Sequence, residues 1–106
     1  MRVYLAGPYT KGDSCINTNR AIHEANKLLD KGYAVFLPHL CHLWHTVTPR
    51  PYKDWIRHDL SWVRACDALI RLSGESSGAD VEVQEADDVG IPVFYSVEDF
   101  FNKYDK

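Results

Sequence analysis

A chain of 106 residues, 45% of them hydrophobic, is long enough for one compact domain and too short for two. The formal charge of -3 comes from 15 acidic and 12 basic side chains dispersed without a basic run or an acidic tail. That distribution argues against a nucleic-acid polymer or an anionic membrane and leaves a small molecule as the expected partner.

Met1 to Ala6 is apolar but stops at Gly7-Pro8, too short for a signal peptide or a membrane span. Val3 to Ala6 therefore reads as a first strand, buried on both faces. From Asn17 to Lys31, Ala21, Ala25, Leu28 and Leu29 recur at helical spacing, and Gly32 follows as a C-terminal cap. Tyr33 to Leu37 forms the next strand, closed by Pro38. Residues 39 to 52 read as irregular, with Pro49 and Pro51 excluding a long helix. A helix is expected from Lys53 to Cys66, a strand from Ala68 to Leu72, a Ser/Gly loop, and a helix from Gly78 to Gly90. Gly90 to Tyr95 supplies a last strand, and Ser96 caps a short helix from Val97 to Phe101.

Alternating strands and helices predict a three-layer α/β sandwich with a flavodoxin- or Rossmann-like parallel sheet of about four or five strands joined by right-handed crossovers. Ligands of such sheets bind beyond the carboxyl ends of the strands, near the point where strand order reverses. The chain there runs through Gly7 to Ser14, Pro38 to Tyr52, Ser73 to Ala79 and the stretch after Tyr95. Cys15, Cys41 and Cys66 are odd in number, far apart and without CxxC spacing, which indicates reduced thiols in a cytoplasmic protein.

Two carboxylates fall where apolar residues belong. In the helix after Gly78, Ala79, Val83, Ala86 and Val89 share one side with Glu82, while Asp80, Gln84, Glu85, Asp87 and Asp88 take the other. In the helix before it, Asp59 falls on the stripe of Trp55, Trp62, Val63 and Cys66. A buried acid is costly unless partnered or used in chemistry. A nucleophilic carboxylate with a second one as acid or base is the pattern of glycosidic-bond cleavage. The bland readings stand beside it: Glu82 snorkelling to water or pairing with Arg20, Arg57 or Arg71, and Asp59 accepting hydrogen bonds from a loop backbone.

Ser77 is expected to cap the Glu82 helix, with Asp80 completing a capping box. The positive end of that helix favours an ionised Glu82 and opposes the upward pKa shift of burial. Asp67 reads as a cap or turn residue. His39, His42 and His45 with Cys41 lack a distal ligand pair, so a metal site is disfavoured and the segment, with Trp44, reads as a site-lining loop. The turn from Gly7 to Gly12 is neither GxGxxG nor a Walker loop, and no GxSxG elbow accompanies a Ser-His-Asp set. Tyr4 fits the core of its strand, with a hydroxyl that wants a partner.

Val3-Tyr4-Leu5-Ala6-Gly7-Pro8, Asp59-Leu60 ahead of Cys66-Asp67-Ala68-Leu69-Ile70, and Ser76-Ser77-Gly78-Ala79-Asp80-Val81-Glu82 followed by Ala86 resemble the nucleoside 2-deoxyribosyltransferase superfamily, in particular its small phage and bacterial members. The resemblance extends over nearly all of residues 1–106, taken as a single domain, and Gly-x-x-x-Glu-x-x-x-Ala is its most specific part. It implies a flavodoxin-like fold, attack on C1′ of the sugar by Glu82, orientation of Glu82 by Tyr4, and proton transfer to the departing base by Asp59. The loop of Gly7, Pro8 and Tyr9 would line the base pocket, with Ser76, Ser77, Gly78, His39 and Trp44 as further substrate contacts. Ser76 resembles the related 2′-deoxynucleoside 5′-monophosphate N-hydrolases, whose serine there helps hold the phosphate. Asp80, in place of a second glycine, sets a negative charge near that anion.

The C-terminal segment that such relatives often lend to a neighbouring subunit's site is expected to be short or absent, its part falling to Asn102 through Lys106 or to nothing. A homodimer or higher homo-oligomer is implied. The expected reaction is N-glycosidic cleavage of a nucleoside or nucleotide through a glycosyl-Glu82 intermediate, without metal or cofactor. A nucleotide-binding or sensing module that has lost turnover is the competing reading.

Overall fold

The computed structural model describes residues 1–104, so Asp105 and Lys106, named above as part of a possible terminal segment, lie outside the described residues. Four strands, β1 (Arg2–Ala6), β2 (Ala34–Phe36), β3 (Ala68–Arg71) and β4 (Val93–Phe94), form one parallel sheet in the order β2-β1-β3-β4. Val3 pairs with Val35 on one side and Ala68 on the other, and Leu69 pairs with Val93. The helices are α1 (Ser14–Asp30), α2 (Cys41–Val47), α3 (Tyr52–Ala65), α4 (Ser77–Val89) and α5 (Val97–Tyr104), with a 3-10 turn at Pro38–Leu40. No helix among the described residues is long and apolar enough to cross a membrane.

Alternation along β1 separates two cores. Val3 and Leu5 point toward α1 and α5, where they meet Ala21, Leu28, Val97 and Phe100. Tyr4 and Ala6 point the other way, toward α3 and α4, where Val63, Ala79 and Ala86 pack. The period-2 geometry of a strand thus delivers Tyr4 to the face that carries Asp59 and Glu82. Strand order reverses between β1 and β3, and the carboxyl ends of these two neighbours feed the Gly7 and Ser73 loops.

The helix boundaries depart from expectation at the end of α5, which runs past Phe101 to Tyr104, and in three further places. Helix α1 begins earlier, at Ser14, because the Asp13 carboxylate accepts from the amides of Cys15 and Ile16. Residues 39–52 are not irregular: the 3-10 turn and α2 occupy most of the segment, and the helix stops before Pro49. Leu40, Leu43, Trp44 and Val47 form a helical stripe, but it faces solvent rather than the core. Finally, Ser76 rather than Ser77 caps α4, its Oγ accepting from the Ala79 amide at 3.1 Å. The capping box is absent because the residue three places after Ser76 is Ala79, and Asp80 turns instead to Arg71, with Nη2 to Oδ1 at 2.9 Å. Ser96 caps α5 as expected, accepting from the Asp99 amide at 3.0 Å.

Candidate active site

A cavity of about 570 Å³ opens between the Gly7 loop, the 3-10 turn and α2, the start of α3 and the N-terminus of α4. Glu82 and Asp59 both line it. Glu82 is 5% exposed and Asp59 9%, so the two acids on apolar stripes are buried in fact. Glu82 does not snorkel. Its Oε2 accepts a 2.5 Å hydrogen bond from the Tyr4 hydroxyl, which is itself fully buried. Tyr4 is held in place by stacking on Phe36, ring centroids 5.3 Å apart, and Phe36 stacks in turn on Trp62 at 5.0 Å.

The arginines considered as partners for Glu82 are engaged elsewhere. Arg20 donates to the Ser73 carbonyl and hydroxyl, and Arg57 lies 3.6 Å from Asp54. Buried Arg71 donates to the Leu72 and Ser76 carbonyls and pairs with Asp80. This last pair neutralises the charge that Asp80 would otherwise set beside an anion at the α4 N-terminus. Asp67 accepts from the Arg2 amide at 2.7 Å, tying the helix-strand junction to β1.

Burial dominates the electrostatics of Glu82. Desolvation pushes its pKa up to about 8, and nearby Asp59 adds to the rise, while the Tyr4 hydrogen bond and Arg71 oppose it. The upward shift expected from burial therefore prevails over the influences that favour the charged form. Asp59 is also raised by burial, against the hydrogen bond and charge of His58, whose Nδ1 is 3.1 Å from Oδ1. The Tyr4 hydroxyl is raised far above its usual range by burial and by Glu82, so it stays a donor.

Of the expected substrate contacts, Gly7, Tyr9, His39, Ser76, Ser77 and Gly78 lie in the cavity wall. Pro8 and Trp44 do not. The Pro8 carbonyl instead accepts from His39 Nε2 at 2.9 Å, and burial lowers the His39 pKa, keeping that ring neutral. Trp44 packs edge-on against Trp55 and His58 at 5.3 and 5.6 Å. The cavity also receives Lys11, Arg50, Tyr52 and Cys41, which the sequence had not singled out as substrate contacts. Arg50 follows Pro49 on the connection into α3, where no periodicity marks it. Burial together with Asp59 and Glu82 pushes the Cys41 thiol up to about 11.

This sheet with its flanking helices is shared with two solved 2-deoxyribosyltransferases. The enzyme from Bacillus psychrosaccharolyticus superposes with a TM-score of 0.61 at 19% identity, over 88% of this chain and 69% of that one. The one from Leishmania mexicana gives 0.57 at 19% identity, over 87% of this chain. The chain spans only 61% of the Leishmania mexicana protein. By sequence it matches none of the curated proteins compared. A family model described as a domain of unknown function, DUF4406, matches residues 1–95, and the chain belongs to that family.

Proposed function

We propose that the protein cleaves the N-glycosidic bond of 2′-deoxynucleosides or their 5′-monophosphates, passing the deoxyribosyl group through Glu82 to another base or to water. The observation that carries this reading is a buried carboxyl in an open cavity, fixed by the Tyr4 hydroxyl and accompanied by a second buried acid. Once Glu82 has lost its proton to solvent, Tyr4 holds Oε2 and leaves Oε1 of the carboxylate to attack C1′. As the Oε1–C1′ bond forms, the C1′–N bond breaks and its electron pair goes to the base, which takes a proton from Asp59. The acceptor then attacks C1′, freeing Glu82 and returning a proton to Asp59. No metal or cofactor enters these steps.

The substrate reading rests on the cavity's charged rim. Lys11, 3.7 Å from Glu75, and Arg50 line it, with Ser77 and the capping Ser76 at the α4 N-terminus, a setting suited to a phosphate that draws Lys11 from Glu75 once Arg71 has taken up Asp80. Comparing a deoxynucleoside with its 5′-monophosphate tests this: a higher kcat/KM for the monophosphate is expected, and a preference for the uncharged nucleoside would remove the role given to the serines. Adding a competing free base separates the outcomes, since exchange product marks a transferase and free sugar alone a hydrolase.

The mechanism itself is tested by Glu82→Gln, which should lower base release by on the order of 10³-fold or more while the fold persists. Unchanged release would rule Glu82 out as nucleophile. The burial of Glu82, which raises its pKa and opposes the charged nucleophile, favours a second reading, a nucleotide-binding or sensing module. Tight nucleotide binding with no product after long incubation would support that module instead.

A further inference from the structure

Beside the cavity, three side chains meet that the proposed reaction does not use together. Cys41 opens α2, and His58 and Asp59 adjoin on α3. One sulfur, one ring nitrogen and one carboxylate oxygen from these residues all lie within 4.8 Å of one another. Ligand atoms around a tetrahedral zinc ion, at bond lengths of about 2.0–2.3 Å, sit roughly 3.5 Å apart, so side-chain rotations of about 1 Å bring the three into range. The His58 ring is already oriented by edge contacts with Trp44 and Trp55 at 5.6 and 6.0 Å. Glu82 lines the same cavity as Cys41 and Asp59, adding a second carboxyl near the three. Cys41 and Asp59 also line the cavity, which leaves a fourth position to water or a ligand atom.

We infer that Cys41, His58 and Asp59 form a site for a thiophilic divalent cation of the Zn²⁺ class. A thiolate, an imidazole and a carboxylate favour Zn²⁺ or Co²⁺ over Mg²⁺ and Ca²⁺, which prefer oxygen ligands alone. The bound cation occupies Asp59, so it inhibits the reaction rather than assisting it. That consequence rests on the role proposed for Asp59, whereas the binding does not.

Titration of the full chain with Co²⁺, followed by the near-ultraviolet thiolate-to-cobalt absorption, tests the binding. One Co²⁺ per chain is expected, displaced by Zn²⁺, with the band lost in Cys41→Ser and kept in Cys15→Ser and Cys66→Ser. His58→Ala should weaken binding about 10-fold or more. Absence of the band, its survival in Cys41→Ser or its loss in Cys15→Ser would overturn the site. Alkylation of the wild-type thiols, mapped by peptide, gives a measurement that needs no variant: Zn²⁺ should protect Cys41 and spare the Cys15 rate, and equal rates at Cys41 with and without Zn²⁺ would contradict it. Zn²⁺ binding that leaves base release unaffected would count against the role of Asp59 and not against the site.

Discussion

Glu82 carries two opposed demands: its burial favours the proton, and its proposed chemistry needs the charge. The Tyr4 hydrogen bond moves it toward the charged form, with a smaller contribution from Arg71. In the wild type, kcat/KM for base release should rise with pH through about 8. Tyr4→Phe removes the donor, so that limb should shift to higher pH; a limb that stays in place would show that Tyr4 does not tune the carboxyl. The same proton affects stability. The folded chain keeps it up to about pH 8, while an ordinary glutamate gives it up near 4.5. Between those values folding becomes less favourable by up to roughly 1.4 kcal/mol per pH unit. Glu82→Gln removes that loss, so its stability margin over wild type, read from denaturant melts, should widen from pH 5 to pH 8.

The loops that shape the cavity depend on close backbone approaches. Gly74 has φ +120, and a Cβ added there would lie 2.7 Å from Pro8 Cγ. The proline ring cannot fold away, and its carbonyl is bonded to His39. Gly74→Ala should therefore cost about 1–3 kcal/mol and raise KM by displacing the Pro8-His39 contact, measured by thermal unfolding and steady-state kinetics. Much of this architecture was readable beforehand. Strands β1 and β3 announce themselves through the short apolar runs Val3 to Ala6 and Ala68 to Ile70, and Glu82 and Asp59 stand out because a charge interrupts an apolar stripe. Helix α2 escaped because its apolar stripe faces solvent and two prolines follow it closely. The α4 cap was misplaced by one position because Ser76 and Ser77 are chemically alike in sequence, and only the 3.1 Å bond to Ala79 tells them apart. With α2 unread, nothing brought Cys41 to His58 and Asp59.

The molecule divides its labour between the two faces of one sheet. The α1 and α5 face carries a hydrophobic core that includes Phe100, whose ring meets Tyr33 and Phe94 at 5.0 and 5.5 Å. The α3 and α4 face holds both acids. Phe100→Ala should thus destabilise the fold by about 3–5 kcal/mol while leaving turnover per folded molecule near wild type, since the sheet separates it from Glu82. A loss of turnover with folding intact would show the faces to be coupled. The proposed chemistry rests on a covalent bond to one side chain, and peptide-mapped mass spectrometry of protein quenched during reaction with a deoxynucleoside or its 5′-monophosphate tests that bond directly. The expected result is one deoxyribosyl group on the peptide containing Glu82, absent in Glu82→Gln. Base release by the wild type with an adduct on another residue, or at an undiminished rate in Glu82→Gln, would contradict it.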